Sequence, residues 1–432
     1  MMRLLTSALI LAACAACQTV PDPALSVTPS PILQGDPVHI TLTGLEPGSS
    51  VKLSLDEIKM RRGKPAFYTS NATFVVPDSG ILSTATTAPV SGSYEGVDQA
   101  GLFWSRRRPS DQQPPEDTPP DPLTLTVDLG NDGTPDFTQD ITLIGSLPGV
   151  EPTLLGEAFP GAVYATPRSE DGPWPVVFLF GGSEGHDTTA KRMAPVFASL
   201  GYFAVGVPYY SPAWGDQPQP VPGLPRAFAN IDVAYLETVI DAVSEFPNAD
   251  MDRIGLWGVS KGAEYVLIAG ERIDGIDAIA AIVPSDVVWE GWGANETVSS
   301  FAWRGEPLPF VPYKGMAEEF QKAEPQLVVP HEAGRDANPD RVEPARILVE
   351  TIDEPVFLVG GGADTVWASG KMAINVKATR DEAGLETELY TSETAGHYLS
   401  GDGYTPNLEP EAKLRGVTWP AMVAFFERHL KD

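Results

Sequence analysis

Residues 256–267 read LWGVSKGAEYVL, an apolar run followed by Gly-Val-Ser-Lys-Gly and then by residues that favour a helix. A serine between two glycines at a strand-to-helix junction predicts a sharp turn. In such a turn Ser260 has a strained backbone, and Gly258 and Gly262 leave the space that the turn needs. The serine hydroxyl is then exposed at the carboxyl edge of a sheet, above the N-terminus of the next helix. Because the pattern alone is common, its meaning depends on the surrounding elements.

The residues after position 150 alternate between buried strands and helices. Continuous apolar runs are typical of strands covered on both faces, and they occur in PVVFLFGG (175–182), AIAAIVP (278–284) and PVFLVGGG (355–362). Helical spacing is expected in residues 190–201, in residues 227–246, from Lys261 onward and in residues 419–430. This alternation predicts a doubly wound, mostly parallel sheet of α/β-hydrolase type over residues 151–432. Residues 285–346 interrupt it and are expected to form a cap.

Residues 25–150 have a different texture, with short alternating apolar segments broken by Pro and Gly. Strands are expected within VHITLTGL (38–45), VKLSLDEI (51–58), ATFVVPDSGILSTATTAPV (72–90), LTLTVDLG (123–130) and TQDITLIG (138–145). Strands at this spacing predict an all-β sandwich domain. The recurrent prolines of residues 108–122 predict a long exposed loop within it.

The turn DLGNDGTPDF (128–137) carries side chains that could surround a calcium ion, namely those of Asp128, Asn131, Asp132 and Asp136. A calcium loop of this spacing needs an oxygen ligand where the chain has Gly130. We therefore interpret the segment as an Asn-Asp-Gly hairpin turn. The sequence predicts no metal and no cofactor.

The N-terminus reads MMRLLTSALILAACAACQTV, one basic residue followed by an apolar run too short to span a bilayer. This pattern predicts a signal segment over residues 1–13. Leu-Ala-Ala-Cys at 11–14 resembles the lipobox of bacterial lipoproteins, which implies cleavage before Cys14, a lipid on its sulfur and a tether over residues 14–24. An ordinary secretory signal is the alternative. We expect an extracytoplasmic bacterial lipoprotein that contacts the membrane through its lipid alone.

The composition excludes several classes of protein. At 432 residues the chain is too long for one ordinary domain. Its 58 acidic and 29 basic residues give a formal net charge of −29, which repels nucleic acid and anionic membrane surfaces. Cys14 and Cys17 are the two cysteines, so the folded domains cannot use a disulfide or a thiolate nucleophile.

A serine nucleophile needs a histidine base and an acid that orients the histidine. His397, in SETAGHYLS, lies between the last strand (LETELYT) and the final helix, where this fold places its base. The acid should follow the preceding strand, and PVFLVGGGAD ends at Asp364, whereas Asp353 and Glu354 precede that strand. The sequence predicts a triad of Ser260, Asp364 and His397. Surface or core roles are expected for His39, His331 and His429. His186, in the loop GGSEGH, could touch substrate, but a position facing solvent is expected.

Two further groups of residues complete the predicted site. The oxyanion formed by attack on a carbonyl needs two backbone N–H donors. Lys261 should supply one, and the loop GGSEGH (181–186) the other, from Ser183 with Gly182 as the second candidate. Aromatic residues of the cap could line an acyl pocket, although ordinary cap packing would use them equally well. The pocket candidates are Trp289, Trp292, Trp303 and Trp367, and the cap also carries Phe310 and Tyr313.

Several motifs resemble those of the bile acid-CoA:amino acid N-acyltransferase and acyl-CoA thioesterase family: GVSKGAE, the Asp-x-x-Trp-x-Ser of residues 364–369, and AGH. GSYEGVDQAGLFWS (92–105) is similar to the N-terminal domain of that family and is the more specific match. The resemblance extends from about residue 25 to the C-terminus. It implies an immunoglobulin-like sandwich before an α/β hydrolase, with the same triad.

In that family a cysteine nucleophile goes with acyl transfer to amino acids, and serine goes with hydrolysis. Ser260 therefore indicates a hydrolase that releases a free carboxylic acid from a small-molecule thioester or ester. The family's animal members act inside cells on CoA thioesters, and the export signal of this chain weakens that expectation. A carboxylesterase of the same fold, an N-acyltransferase and a non-catalytic surface-binding protein remain as alternatives. No oligomeric state is indicated.

Overall fold

The computed structural model describes residues 22–61, 63–169, 172–213, 217–404 and 409–431. The predicted signal segment (1–13) and the part of the predicted tether that carries Cys14 and Cys17 lie outside these residues. No helix in the described ranges is both long and apolar enough to span a lipid bilayer.

The N-terminal part of the chain is almost entirely β-structure. Its elements are β1 Ala24–Thr28, β2 Ile32–Leu33, β3 His39–Thr43, β4 Ser50–Arg61, β5 Lys64–Val75, β6 Leu82–Ser83, β7 Ser91–Gly92, α1 Gly101–Trp104, β8 Asp121–Leu129, β9 Phe137–Ile141 and β10 Leu143–Ile144. One antiparallel sheet has the order β7-β5-β4-β8-β9, another has the order β1-β3-β6, and β10 pairs with β2.

The two antiparallel sheets share one hydrophobic core. Period-two spacing turns Val51, Leu53 and Leu55 of β4 inward, where they join Ile40 and Leu42 of β3 in a fully buried cluster. The exposed loop predicted over residues 108–122 ends two residues earlier than expected, because β8 begins at Asp121 and pairs with β4. The predicted strands are present in this part of the chain, although several are shorter than the segments that suggested them.

The turn between β8 and β9 is a hairpin whose carboxylates accept backbone hydrogen bonds. Asp128 accepts from the N–H groups of Asp132 (3.0 Å) and Gly133 (2.8 Å), and Asp136 accepts from Leu129 (2.7 Å). Carboxylates that cap a turn in this way explain the density of acidic residues there without an ion. This agrees with the interpretation of the segment as a turn.

The rest of the chain alternates strands and helices. The elements are β11 Thr153–Leu154, β12 Val163–Ala165, β13 Trp174–Phe180, α2 Thr188–Ser199, β14 Phe203–Gly206, β15 Ile231–Asp232, α3 Tyr235–Ser244, β16 Ala249–Val259, α4 Lys261–Arg272, β17 Ala278–Ile282, β18 Phe301–Trp303, β19 Glu306–Pro307, α5 Met316–Glu319, α6 Val328–Ala337, α7 Pro339–Val342, a 3₁₀ turn Val349–Thr351, β20 Val356–Gly361, α8 Ser369–Glu382, β21 Thr387–Ser392 and α9 Glu409–Leu430.

An eight-stranded sheet organises this part, in the order β11-β12-β14-β13-β16-β17-β20-β21. β12 pairs antiparallel with both β11 and β14, and all the other neighbouring strands pair parallel. Helices pack on both faces and bury one hydrophobic cluster on each side. This is the predicted α/β-hydrolase fold, and the carboxyl ends of β13, β16 and β20 meet at one edge of the sheet.

The expected helix over residues 227–246 is wrong in its first part. Residues 231–232 form β15, which pairs with β18, and the helix begins only at Tyr235. The cause is Asp232, whose carboxylate accepts from the N–H groups of Ala234, Arg304 and Gly305 and so ties this segment to the β18–β19 hairpin. Apolar spacing alone does not reveal such a long-range attachment.

The segment between β17 and β20 contains the predicted cap. It consists of β18, β19 and the helices α5, α6 and α7, and β18 pairs with β15, which precedes β16 in the chain. The two parts of the chain also touch: the buried Arg106 donates to the carbonyl of Tyr404 (2.7 Å) and pairs with Glu57 (2.8 Å). The site described below lies under the cap.

Candidate active site

Ser260 occupies a strained turn between β16 and α4. Its backbone has φ 58° and ψ −121°, a region that non-glycine residues rarely enter. Its N–H donates to the carbonyl of Ile282 at the end of β17 (2.9 Å), which holds the turn against the neighbouring strand. The hydroxyl is thereby presented at the carboxyl edge of the sheet.

The flanking glycines are required by close approach of backbone to backbone. A Cβ on Gly258 would lie 2.2 Å from the carbonyl oxygen of Gly262. A Cβ on Gly262 would lie 2.4 Å from the carbonyl oxygens of Phe180 and Gly181 at the end of β13. Backbone atoms at these distances cannot move aside without displacing a central strand. The turn therefore depends on glycine at both positions.

We expect Gly262→Ala to destabilise the protein by about 1–3 kcal/mol, the usual cost of an extra methyl group in a filled space. The matched control is Gly145→Ala, because a Cβ at Gly145 meets no atom within 4 Å and its φ is not positive. Urea unfolding of the two variants and of the parent protein measures the difference. Equal stability of Gly262→Ala and Gly145→Ala would contradict the packing described above.

Ser260, His397 and Asp364 form a continuous chain of hydrogen bonds. His397 Nε2 lies 2.9 Å from Ser260 Oγ, and His397 Nδ1 lies 2.7 Å from Asp364 Oδ2. The Asp364 side chain is fully buried, and 12% of the His397 side chain is exposed. Ser260 lies 137 positions and Asp364 lies 33 positions before His397 in the chain, and the fold brings the three together as the sequence predicts. The arrangement can move a proton from the serine to the histidine.

Asp364 is held in place by more than the histidine. Oδ1 accepts from the N–H groups of Val366 (2.8 Å) and Trp367 (3.3 Å), and Oδ2 accepts from the hydroxyl of Ser369 (2.5 Å). Ser369, the first residue of α8, also accepts from Gly361 N–H (3.1 Å). The Asp-x-x-Trp-x-Ser pattern was visible in the sequence, but the contact of its serine with the carboxylate was not foreseen.

The predicted oxyanion donors lie close to Ser260. Ser183 lines the cavity together with Ser260 and Lys261, and a Cβ on Gly182 would lie 3.1 Å from the Cβ of Ser260. Within the described ranges, the backbone N–H groups of Ser183 and Lys261 have no acceptor in the protein. Two such N–H groups beside a serine hydroxyl can bind a developing negative charge.

A cavity of about 920 Å³ opens above Ser260. Much of its lining is apolar or aromatic, which suits an acyl group. Trp292 and Trp367 line it as predicted, and the other large side chains of the lining are Tyr210, Tyr313, Met316, Phe320 and Leu327. Tyr313 is one of the cap aromatics noted in the sequence, whereas Tyr210, Met316, Phe320 and Leu327 carried no local signal. The polar members Glu290, Glu296 and His331 also line it.

Two family models match this chain. "Acyl-CoA thioester hydrolase/BAAT N-terminal region" matches residues 35–151, and "BAAT / Acyl-CoA thioester hydrolase C terminal" matches residues 231–432. The chain belongs to the acyl-CoA thioester hydrolase/BAAT family. The matches cover both the β-rich part and the part that carries the serine, the acid and the histidine.

Individual relatives agree with this assignment. Acyl-coenzyme A thioesterase 2, mitochondrial, of Mus musculus is 24% identical over 84% of this chain and 76% of its own length. Bile acid-CoA:amino acid N-acyltransferase of Mus musculus is 25% identical over 67% of this chain and 66% of its own length. Among solved structures, acylaminoacyl peptidase of Pyrococcus horikoshii is 14% identical, with a TM-score of 0.45 over 87% of this chain and 56% of its own.

Two of the four tryptophans that were predicted to line the pocket do not reach the cavity above Ser260. Trp289 is buried beneath the cap, where its indole N–H donates to Ser285 Oγ (2.8 Å) and its ring packs against His331. Trp303, on β18, has the guanidinium groups of Arg272 and Arg304 within 5.8 Å and 5.1 Å of its ring centroid. The alternative of ordinary cap packing is correct for these two residues.

The histidines outside the triad have structural contacts. His331 is buried, and its Nδ1 donates to the carbonyl of Leu327 (2.7 Å). Burial lowers the pKa of His331 to about 4, so its imidazole is neutral near pH 7. His186 is half-buried, its Nδ1 lies 3.0 Å from Ser211 Oγ, and it is not among the residues that line the cavity above Ser260. In the described ranges, no group of three or more His, Cys, Asp or Glu side chains could hold a metal ion.

The side chain of Lys261 was not foreseen as part of the site. Its ammonium bonds to Glu264 (2.7 Å) and to Ser300 (2.8 Å), and Glu264 also accepts from the N–H of Trp289 (3.2 Å). Both charged side chains are almost completely buried. Burial lowers the pKa of Lys261 and raises the pKa of Glu264. The spacing of three residues on one helix was the available signal.

Proposed function

We propose that the protein is a serine acyl hydrolase that cleaves a thioester or ester through an acyl-enzyme on Ser260. The observation that carries the proposal is the hydrogen-bond chain from Ser260 through His397 to Asp364 at the floor of a largely apolar cavity. The names of its relatives, which are acyl-coenzyme A thioesterases in several cases, support thioesters as a substrate class. A carboxylesterase reaction would use the same groups.

Acylation begins when Ser260 Oγ attacks the carbonyl carbon of the substrate and His397 Nε2 takes the hydroxyl proton. The Asp364 carboxylate keeps Nδ1 protonated and stabilises the positive imidazolium. The N–H groups of Lys261 and Ser183 donate to the oxyanion, with Gly182 as the second candidate in the loop. When the intermediate collapses, the carbon–sulfur or carbon–oxygen bond breaks and His397 returns the proton to the leaving thiol or alcohol.

Deacylation repeats the sequence with water as the nucleophile. His397 takes a proton from the water as it attacks the serine ester, and the free carboxylic acid leaves as Ser260 regains its hydrogen. An oxygen ester is less reactive toward amines than a thioester is, so a serine at this position favours water as the acyl acceptor. The product we propose is therefore the free acid.

We expect free acid from acyl-CoA or ester substrates even when glycine or taurine is present in excess. Ser260→Cys should gain some amide product, because its acyl-enzyme is a thioester that amines attack more readily. Mass spectrometry of the products, with and without the amine, makes the comparison. Abundant N-acyl amino acid from the unmodified protein would identify it as a transferase.

We also propose the domain organisation and location that the sequence suggests. Residues 25–150 would be an immunoglobulin-like sandwich, supported by the two antiparallel sheets with one core, and residues 151–432 the catalytic domain with its cap at 285–346. A lipid on Cys14 would place both outside the cytoplasm of a bacterium. Mass spectrometry of the N-terminal peptide from membranes tests the anchor, and an unmodified peptide that begins elsewhere would refute it.

A further inference from the structure

The charges around the cavity limit the kind of leaving group that can bind there. Of the described residues that line the cavity, Lys261 is the one lysine or arginine. Its ammonium is already bonded to the carboxylate of Glu264 and to Ser300. Wherever the shared proton of this buried pair resides, the net charge of the pair is zero. Lys261 therefore offers no uncompensated positive charge to a ligand.

The other ionisable groups of the lining add negative charge or none. Glu290 lines the cavity and accepts the N–H of Tyr313 (2.8 Å), and Glu296 is exposed at its rim. A third carboxylate, that of Glu184, lies beside Gly182 in the loop that faces Ser260. His331 is neutral near pH 7 because burial lowers its pKa to about 4. The surroundings of the site are thus acidic, as is the whole chain with its formal charge of −29.

Coenzyme A makes opposite demands on a binding site. It carries a ribose phosphomonoester and a diphosphate, and proteins bind such groups through arginine, lysine or free helix N-termini. Carboxylates at the mouth of a cleft repel a polyanion and reduce its rate of association. A leaving group without phosphate meets no such penalty, and the aromatic rings of Trp292, Trp367 and Tyr210 offer it contact area.

Building on the acyl hydrolase function proposed above, we infer that the substrate joins an apolar acyl group to an uncharged or cationic thiol or alcohol without phosphate, and that coenzyme A is not the preferred leaving group. The inference concerns the leaving-group side of the site and leaves the chemistry at Ser260 unchanged. It distinguishes this chain from relatives that are named for acyl-coenzyme A.

The test compares two octanoyl thioesters, those of coenzyme A and of N-acetylcysteamine. N-acetylcysteamine reproduces the thiol end of coenzyme A, so the reacting atoms match while the phosphates are absent. At low ionic strength we expect kcat/KM to be about tenfold or more higher for the N-acetylcysteamine thioester. Raising the salt concentration from about 0.01 M to about 0.5 M should increase kcat/KM for the coenzyme A thioester. The value for the N-acetylcysteamine thioester should stay nearly unchanged.

Reversing the charge of Glu296, at the rim of the cavity, tests whether the repulsion of coenzyme A arises there. Glu296→Lys should raise the ratio of kcat/KM for the coenzyme A thioester to kcat/KM for the N-acetylcysteamine thioester by about three- to tenfold. Glu306→Lys is the matched control, since Glu306 is an exposed glutamate of β19 outside the cavity lining and its reversal changes the net charge equally. It should leave both values within about twofold.

The outcomes separate the two proposals. A higher kcat/KM for the coenzyme A thioester would overturn the inference about the leaving group while supporting acyl hydrolysis. Equal effects of Glu296→Lys and Glu306→Lys would overturn the role of the rim carboxylate. Absence of hydrolysis of both thioesters and of the corresponding p-nitrophenyl ester would overturn the proposed hydrolase itself.

Discussion

Ser260→Ala should lower kcat by roughly 10⁶-fold, the size of effect seen when a serine nucleophile is removed from a triad. Alanine keeps the Cβ and so leaves the strained turn as it is, but it removes the atom that would carry the acyl group. Residual acceleration of about 10³–10⁴ over water would come from the oxyanion donors and substrate binding. Steady-state kinetics with an activated ester, together with the absence of an acyl-enzyme by mass spectrometry, measure the loss.

A serine remote from the cavity provides the control for this substitution. Ser244 is exposed at the end of α3, and its hydroxyl bonds to the carbonyl of Asp241. Ser244→Ala should therefore retain the activity of the parent protein. If Ser260→Ala remained as active as Ser244→Ala, the nucleophile would have to be sought elsewhere.

Asp364→Asn should lower kcat by about 10⁴-fold, because the amide reverses the hydrogen bond to the histidine. The carbonyl oxygen of asparagine can still accept from Val366 and Trp367, so its NH₂ group faces His397 Nδ1. Nδ1 must then accept, and the proton moves to Nε2, which can no longer take the proton of Ser260. The pH profile of kcat/KM and the melting temperature, measured together, separate this loss from unfolding.

Asp353→Asn makes the same chemical change at an exposed position that precedes β20. We expect its kcat to stay within about twofold of the parent value, as for surface substitutions remote from a site. Near-full activity of Asp364→Asn would mean that another carboxylate orients the histidine.

Much of the fold was accessible from local sequence because its main elements are locally encoded. The apolar runs of β13, β17 and β20 could be recognised as strands, because a parallel sheet covered by helices on both faces buries its strands almost completely. The prediction of a helix over residues 227–246 was wrong in its first part, because Asp232 ties that part to a hairpin about 70 residues away. Apolar periodicity records which face a segment buries and cannot report a hydrogen bond to a remote backbone.

The order of nucleophile, acid and base followed from the chain alone, since each residue comes directly after a strand whose carboxyl end must lie at the same edge of the sheet. The lining of the cavity did not follow. Trp292 and Trp367 line it and Trp289 and Trp303 do not. Trp289 packs against His331 and Trp303 lies beside Arg272, and both partners are remote in the chain.

The contrast between short-range and long-range constraints also explains which features of the site could be recognised from the sequence. Gly258 and Gly262 could be assigned from the motif because a turn between adjacent elements is a short-range constraint. The bond of Ser300 to Lys261 and the presence of Glu290 and Glu296 in the cavity lining arise where the cap folds over the sheet. Electrostatic surroundings depend on distances between charges, and only the packing of remote segments sets those distances.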